Sequence, residues 1–224
     1  MTLVIAHRGA SAEETENSLA AFRRAVREGA DGIELDIHAT ADGELIVFHD
    51  PVLAGRPVSA MPLADIRRHP LENGEAPPTL TEALSTIGPE TTVFVEVKGL
   101  APRFDGRLLD TLAHAPAPER CHVHAFDHRI IQRLQRAGFS RGQLGALSAS
   151  YPVNPVRQLD DAGAGELWQE QSLIDADLVN AVHRPGGKVY AWTVDEPARV
   201  TELAGMGVDG ICTNHPRAAR TLLR

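Results

Sequence analysis

The sequence predicts an α/β fold closed into a barrel: eight parallel strands, each followed by a helix, in one domain. Three observations predict it. Short, β-branched apolar runs alternate with amphipathic helical stretches along the whole chain, the pattern of a parallel sheet covered by helices. About eight such units fit into the 224 residues, the number that closes a barrel. Polar residues also recur at the C-terminal ends of several runs, in the same register. An open, doubly wound sheet is the alternative that the alternation allows.

The units follow in order. LVIAHRG (3–9) is a strand and loop, and NSLAAFRRAVREG (17–29) is a helix with Leu19, Phe22 and Val26 on one stripe and Gly29 at its stop. GIELDIHA (32–39) is the second strand. Because a strand alternates sides, Ile33, Leu35 and Ile37 share one face and Glu34, Asp36 and His38 the other. ADGE (41–44) carries Asp-Gly, the preferred pair of a two-residue turn. A turn on Asp42 and Gly43 pairs Ala41 with Glu44 and, five steps back, sets Asp36 opposite His49; a three-residue loop would turn His49 to the other face. HPLENGEAPPT (69–79) reads as a surface loop. TLTEALSTIG (79–88) is a helix, and TVFVEVKG (92–99) is a strand with Glu96 and Lys98 on one face. RLLDTLAHA (107–115) is a helix, CHVHAFD (121–127) a strand and RIIQRLQRAG (129–138) a helix. QLGALSA (143–149) is a strand before the helix PVRQLDDAGA (155–164). GELWQEQ (165–171), the least patterned strand, precedes the helix DADLVNAVHRPG (175–186). KVYAWTVD (188–195) is a strand, ARVTELAGMG (198–207) a helix, and GICTNHP (210–216) a strand before a terminal helix. No repeat, linker or low-complexity segment interrupts residues 1–224, which form a single domain with no large insertion.

The bulk numbers narrow the function. The chain is 43% hydrophobic and 23% charged, ordinary for a globular protein. A formal charge of -8 leaves no basic excess for a general nucleic-acid role. Cys121 and Cys212 make no disulfide framework and read as free, buried thiols. MTLVIAHRGA has no basic stretch and too short an apolar run for a signal peptide, and no run approaches a membrane span. A cytoplasmic location is the expectation; the oligomeric state is not legible.

In a parallel barrel, chemistry sits at the C-terminal ends of the strands. His7 and Arg8 fall there, as do Glu34, Asp36 and His38, Glu96 and Lys98, Trp192 and Thr193, and Thr213, Asn214 and His215. Glu34, Asp36 and Glu96 converge with only Arg8 and Lys98 to offset them. A hard divalent cation with oxygen ligands, Mg2+ or Ca2+, resolves that excess; zinc would favour more His and Cys. Salt bridges from the acids to Arg8 and Lys98 are the purely structural alternative. His7 and His49 each close a strand beside the acids, and imidazoles titrate near neutrality, which suits paired acid–base work. His38, His122 and His124 are core or supporting groups, and His69, His114, His128 and His183 receive no role.

These residues carry a resemblance. HRGA, ENSLAAF, GADGIELDIHATADGELIVFHD, FVEVKG, AWTVDE and GVDGICTNHP, in that order over nearly the whole chain, resemble the glycerophosphodiester phosphodiesterase family. The resemblance implies a TIM (β/α)8 barrel that hydrolyses small-molecule glycerophosphodiesters to glycerol 3-phosphate and an alcohol, using a divalent metal, in glycerol and lipid metabolism. It implies that Glu34, Asp36 and Glu96 are metal ligands, that His7 and His49 are the acid–base pair, and that Arg8 and Lys98 hold phosphate oxygens. Trp192 would line the glycerol or alcohol side, or pack at the barrel mouth. The chain departs from the family pattern at Thr15 and Ser18, where Pro and Thr are usual. His38 stands where Gln is common, Ala125 where Ser is usual, and His124 at a variable position. AGRPVSAM (54–61) lacks the usual run. These changes bear on the alcohol pocket. The nucleophile is either water or the glycerol 2-hydroxyl acting through a cyclic phosphate. An enolising barrel enzyme would use similar carboxylates but would not need two flanking histidines. A phosphodiester-binding protein without catalysis would have lost one of these groups.

Overall fold

The computed structural model describes residues 1–223. Its strands are β1 (Leu3–His7), β2 (Gly32–Ala39), β3 (Leu45–Val47), β4 (Val52–Leu53), β5 (Arg56–Pro57), β6 (Thr92–Gly99), β7 (Cys121–Ala125), β8 (Leu144–Ser148), β9 (Glu166–Glu170), β10 (Lys188–Trp192) and β11 (Gly210–Thr213). β1, β2 and β6 to β11 pair in parallel around a closed ring, with β1 bonded to both β2 and β11. This is the closed eight-stranded barrel, as expected. The helices α1 (Leu19–Arg27), α3 (Leu80–Ile87), α4 (Asp105–Ala113), α5 (His128–Arg136), α6 (Pro155–Ala162), α7 (Ala176–His183), α8 (Pro197–Met206) and α9 (Pro216–Leu222) follow the predicted units, and the short α2 (Leu63–Ile66) was not expected. Local chemistry sets their starts. The Ser18 hydroxyl accepts from the Ala21 amide, and Thr79 and Glu82 close a capping box, which satisfies amides that no helical carbonyl can reach.

Two apolar layers result from strand alternation. Val4, Ile33, Leu35, Val95 and Val123 point outward and pack against Phe22, Leu84, Leu108 and Ile131 of the helices. Ile5, Phe94, Leu147, Trp168, Tyr190 and Cys212 fill the lumen. Inward positions higher on β2 are therefore lumen positions too, and they are occupied by Glu34 and Asp36, both buried. Cys121 and Cys212 are free and buried. Among the described residues, no helix is long and apolar enough to cross a membrane.

The hairpin after β2 differs from expectation. Ile37 pairs with Val47, His38 with Ile46 and Ala39 with Leu45, so the loop is three residues, Ala41 to Gly43, between Thr40 and Glu44. The Thr40 hydroxyl donates to Asp42 Oδ1 at 2.6 Å and accepts the Glu44 amide at 2.9 Å. Gly43 takes φ +84°, the left-handed residue that a three-residue loop requires. Asp36 thus faces Phe48, whose amide donates to its carbonyl at 3.0 Å, and His49 lies beyond the end of β3. Residues 48–79 form a small cap whose Val58, Met61 and Ile66 cluster with Ile46 of β3. Pro78 accepts the Val47 amide at 2.8 Å, so the loop 69–79 ends docked on β3.

Candidate active site

At the C-terminal end of the barrel, β1, β2, β6 and β7 set their polar residues side by side. The register pairs His7 with Glu34, Asp36 with Glu96, and Glu96 with His124. Paired residues on neighbouring parallel strands point to the same side. Glu34, Asp36 and His124 are at most 2% exposed, and Glu96 is 9%.

Asp36 is the well-held member. Lys98 Nζ lies 3.1 Å from Oδ1 and Arg8 Nε 3.0 Å from Oδ2; both are ion-pair contacts too misaligned to count as hydrogen bonds, leaving Oδ1 and Nε without a hydrogen-bond partner. Asn17 clamps the same residue from two sides: Nδ2 donates to Oδ2 at 2.9 Å, and Oδ1 accepts the Asp36 amide at 3.3 Å. Burial is the largest single influence on Asp36 and pushes its pKa up, yet Lys98, Arg8 and Asn17 together bring it below the ordinary value. Glu96 Oε1 accepts from Lys98 Nζ at 2.7 Å. Burial, then the charge of Asp36, still raise its pKa.

Glu34 is the poorly held member. Its Oε2 accepts the Arg8 amide at 3.1 Å, but Oε1 is buried without a partner. Burial, then Asp36 and Glu96, push its pKa well up. The salt bridges weighed from sequence do form, and they do not suffice. Three carboxylates meet two cations, and Arg8 also pairs with Glu16 at 2.8 Å.

The loop from β1 to α1 supplies Arg8 and Asn17. Both sit in the left-handed region, at φ +56° and +55°, which costs a non-glycine residue about 1–2 kcal/mol. The Asn17 amide donates to the Arg8 carbonyl at 3.0 Å, and both side chains end on Asp36, so the strained backbone delivers them there.

His7 Nδ1 lies 2.7 Å from Asn214 Oδ1. Asn214 Nδ2 donates to Asp195 Oδ2 at 2.6 Å. A carboxylate only accepts, so the amide orientation is fixed and Oδ1 must face His7. His7 Nδ1 therefore carries the proton, and Nε2 is the free nitrogen. Burial, then Arg8, lower the His7 pKa, partly offset by Asn214. His49 stands elsewhere. Its Nδ1 meets Asp50 Oδ1 at 2.8 Å, and it lines a cleft of about 710 Å³ with residues 11–17 of the β1–α1 loop and residues 69–72 of the cap. His38 Nε2 donates to the His49 carbonyl at 3.1 Å, which gives His38 a supporting place. At the barrel mouth Trp192 meets Phe126 edge to face, with centroids 5.6 Å apart.

The sequence-predicted acids, Arg8 and Lys98 are thus brought into one network, with His7 beside Glu34. His49 arrives from outside the strand pairing that was expected to place it. Asn17, Asp195, Phe126 and the part played by Asn214 went unassigned from sequence. His124 was left open, although the two-residue spacing of His122 and His124 on β7 marks an inward face. Glu34, Glu96 and His124 each offer one donor atom, all within 4.8 Å of one another. Glu34 Oε1, Asp36 Oδ1 and His124 Nδ1 are all buried without hydrogen-bond partners. The buried Glu34–Glu96–His124 cluster is compatible with a divalent cation.

Comparison with known proteins gives the family. The model of the "Glycerophosphoryl diester phosphodiesterase family" matches residues 7–218. The glycerophosphodiester phosphodiesterase of Caldanaerobacter subterraneus subsp. tengcongensis is 31% identical, with 100% of this chain and 98% of that protein covered. A glycerophosphodiester phosphodiesterase from Parabacteroides distasonis superposes with a TM-score of 0.90 at 26% identity, covering 99% of this chain and 96% of its own. An Oleispira antarctica phosphodiesterase, solved with the product sn-glycerol-3-phosphate, shares the fold at a TM-score of 0.89 and 24% identity, covering 100% and 97%. The family match and the full-length relative span both the barrel and its strand-end residues, and the chain is an enzyme belonging to the glycerophosphoryl diester phosphodiesterase family.

Proposed function

We propose that the protein hydrolyses glycerophosphodiesters to glycerol 3-phosphate and an alcohol, with Glu34, Asp36 and Glu96 holding a divalent cation and His7 and His49 moving the protons. The observation that carries the reading is the sealed carboxylate layer, one cation short, with Glu34 Oε1 unpartnered. Such a layer gains from added positive charge, and an anionic phosphodiester above it gains from the same charge.

A bound divalent cation, Mg2+ or Ca2+ for an oxygen-rich set, would neutralise a phosphoryl oxygen and leave phosphorus more electrophilic. Arg8 and Lys98 hold the other phosphoryl oxygens; each has donors beyond those used on the acids. His7 acts as base. Its Nδ1–H is fixed on Asn214, and its lowered pKa keeps Nε2 unprotonated at neutral pH. His49, which lines the cleft beside the β1–α1 loop, protonates the leaving alkoxide. In the first step the glycerol 2-hydroxyl gives its proton to His7, its oxygen bonds to phosphorus, and the bond to the leaving alkoxide breaks. Water then opens the cyclic phosphate with the proton roles reversed. Tethering the nucleophile supplies several kcal/mol when it is aligned. Trp192 and Phe126 line the glycerol or alcohol side.

The test is a panel of glycerophosphodiesters with coupled detection of glycerol 3-phosphate. Treatment with a chelator should abolish turnover, and Mg2+ or Ca2+ should restore it; full turnover by metal-free protein contradicts the reading. A 2-deoxy analogue should bind and be cleaved far more slowly. Cleavage at the parent rate, without a cyclic phosphate by phosphorus NMR, would mean that water attacks directly.

A further inference from the structure

His124 is a buried imidazole that makes no side-chain hydrogen bond among the described residues. It is 1% exposed. Nδ1 has no partner, and Nε2 stands 4.0 Å from Glu34 Oε1, beyond hydrogen-bond reach. Buried histidines ordinarily satisfy both ring nitrogens. His122, two residues earlier on the same face, does bond through Nδ1, to Glu166 at 2.8 Å.

The His124 ring is nevertheless fixed. It stacks on Trp168 with centroids 4.1 Å apart and planes 12° from parallel. The stack needs an empty position on β8, the strand between them. A Cβ at Gly145 would lie 2.7 Å from Trp168 Cδ1 and 2.9 Å from His124 Cβ. A mid-strand glycine weakens a strand and marks a close approach; here the approach lets the indole hold the imidazole. The held ring keeps one nitrogen within 4.8 Å of donor oxygens on both Glu34 and Glu96.

We infer that His124 is a further ligand of the cation, so that the site combines one imidazole nitrogen with carboxylate oxygens. This rests on the metal reading above and refines its chemistry. Mg2+ and Ca2+ take oxygen ligands, whereas an imidazole donor suits transition metals such as Mn2+ and Co2+. Mn2+ then binds more tightly than Mg2+ or Ca2+, which still load at higher concentration. Asp36, held by Arg8, Lys98 and Asn17, is the carboxylate least free to approach the ion.

The experiment uses metal-stripped full-length protein and its His124→Gln variant, titrated with Mn2+ and followed by electron paramagnetic resonance. Pulsed measurements then read nitrogen coupling to the bound ion. Wild type should bind one Mn2+ and show the modulation of a directly bound imidazole nitrogen. His124→Gln should lose the modulation and bind Mn2+ at least about tenfold more weakly, with a smaller change for Mg2+. Mn2+ bound by wild type without nitrogen modulation overturns the inference while leaving the metal reading intact, and needs no variant. Modulation that persists in a folded His124→Gln protein overturns it as well. Wild type that binds no Mn2+, Mg2+ or Ca2+ overturns both.

Discussion

Glu34 and Glu166 are both sealed in the barrel lumen, at 2% and 1% exposure, and their surroundings are opposite. Glu166 opens β9 toward the floor of the barrel. His122 Nδ1 reaches its Oε1 at 2.8 Å and Trp168 Nε1 its Oε2 at 3.5 Å. Phe94, Trp168 and Tyr190 close around it, with ring centroids 4.8 to 5.3 Å apart. Glu34 has one backbone donor, one orphaned oxygen and two acids for neighbours. A buried carboxylate whose oxygens meet protein donors is part of the packing. One that the fold leaves short keeps an unused acceptor. Burial alone does not separate the two; the donor count does.

Exchanging each acid for its amide should separate them most widely. Glu34→Gln should lower turnover roughly 1000-fold by weakening the cation site, since about 4 kcal/mol of transition-state stabilisation corresponds to three decades. The same change should stabilise metal-free protein. The folded pKa of Glu34 is raised, so its favourable contribution is complete below the ordinary carboxylate value and is lost as pH rises through the raised one. Melting curves should favour Glu34→Gln at neutral pH and converge with wild type near pH 4. Glu166→Gln should do the reverse, keeping activity per folded molecule within a few-fold while costing about 1–3 kcal/mol of stability. Equal losses of turnover in the two variants would erase the distinction.

His7→Ala and His49→Ala should each lower kcat roughly 100-fold with the fold intact. A substrate with a better leaving alcohol should rescue the variant that lacks the acid, assigned here to His49. Near-native rates in both variants would remove the pair from the mechanism.

The pH profile sharpens the contrast between the partnered His7 and its surroundings. Burial and Arg8 lower its pKa from 6.5, and a base must be unprotonated. The acid limb of kcat/KM should therefore fall below pH 6.5. Asn214 raises that pKa, so Asn214→Leu should move the limb to still lower pH and cost about tenfold in rate through the misplaced ring. A limb that stays put would assign the titration to another group.

The smallest effect belongs to the mouth. Trp192→Ala should raise KM several-fold, about 1 kcal/mol, with kcat held, as measured by steady-state kinetics on the preferred diester. A fall in kcat alone would place Trp192 in the packing of the barrel rather than against the substrate.

What the sequence disclosed follows from which interactions are local. Strand and helix periods are written into neighbouring residues, so the eight units and the inward face of Glu34 and Asp36 were legible. The hairpin register was not, because Asp-Gly serves two- and three-residue loops alike and the choice lies with Thr40, whose hydroxyl bonds both Asp42 and Glu44. The fixing of His7 needs Asp195 and Asn214, from the loops after β10 and β11, brought against the end of β1. The His124–Trp168 stack needs three strands and a missing side chain at Gly145. Neither is present in any short stretch of sequence.

The central claim is that the carboxylate layer around Glu34 awaits a divalent cation. A crystal of the protein loaded with Mn2+, examined by anomalous scattering, tests it most directly. The account predicts an ordered peak in the lumen with carboxylate oxygens of Glu34 and Glu96 about 2.0–2.6 Å away, while Glu166 keeps only His122 and its aromatic neighbours. A lumen without a peak, with Mn2+ found only on the surface, would contradict it.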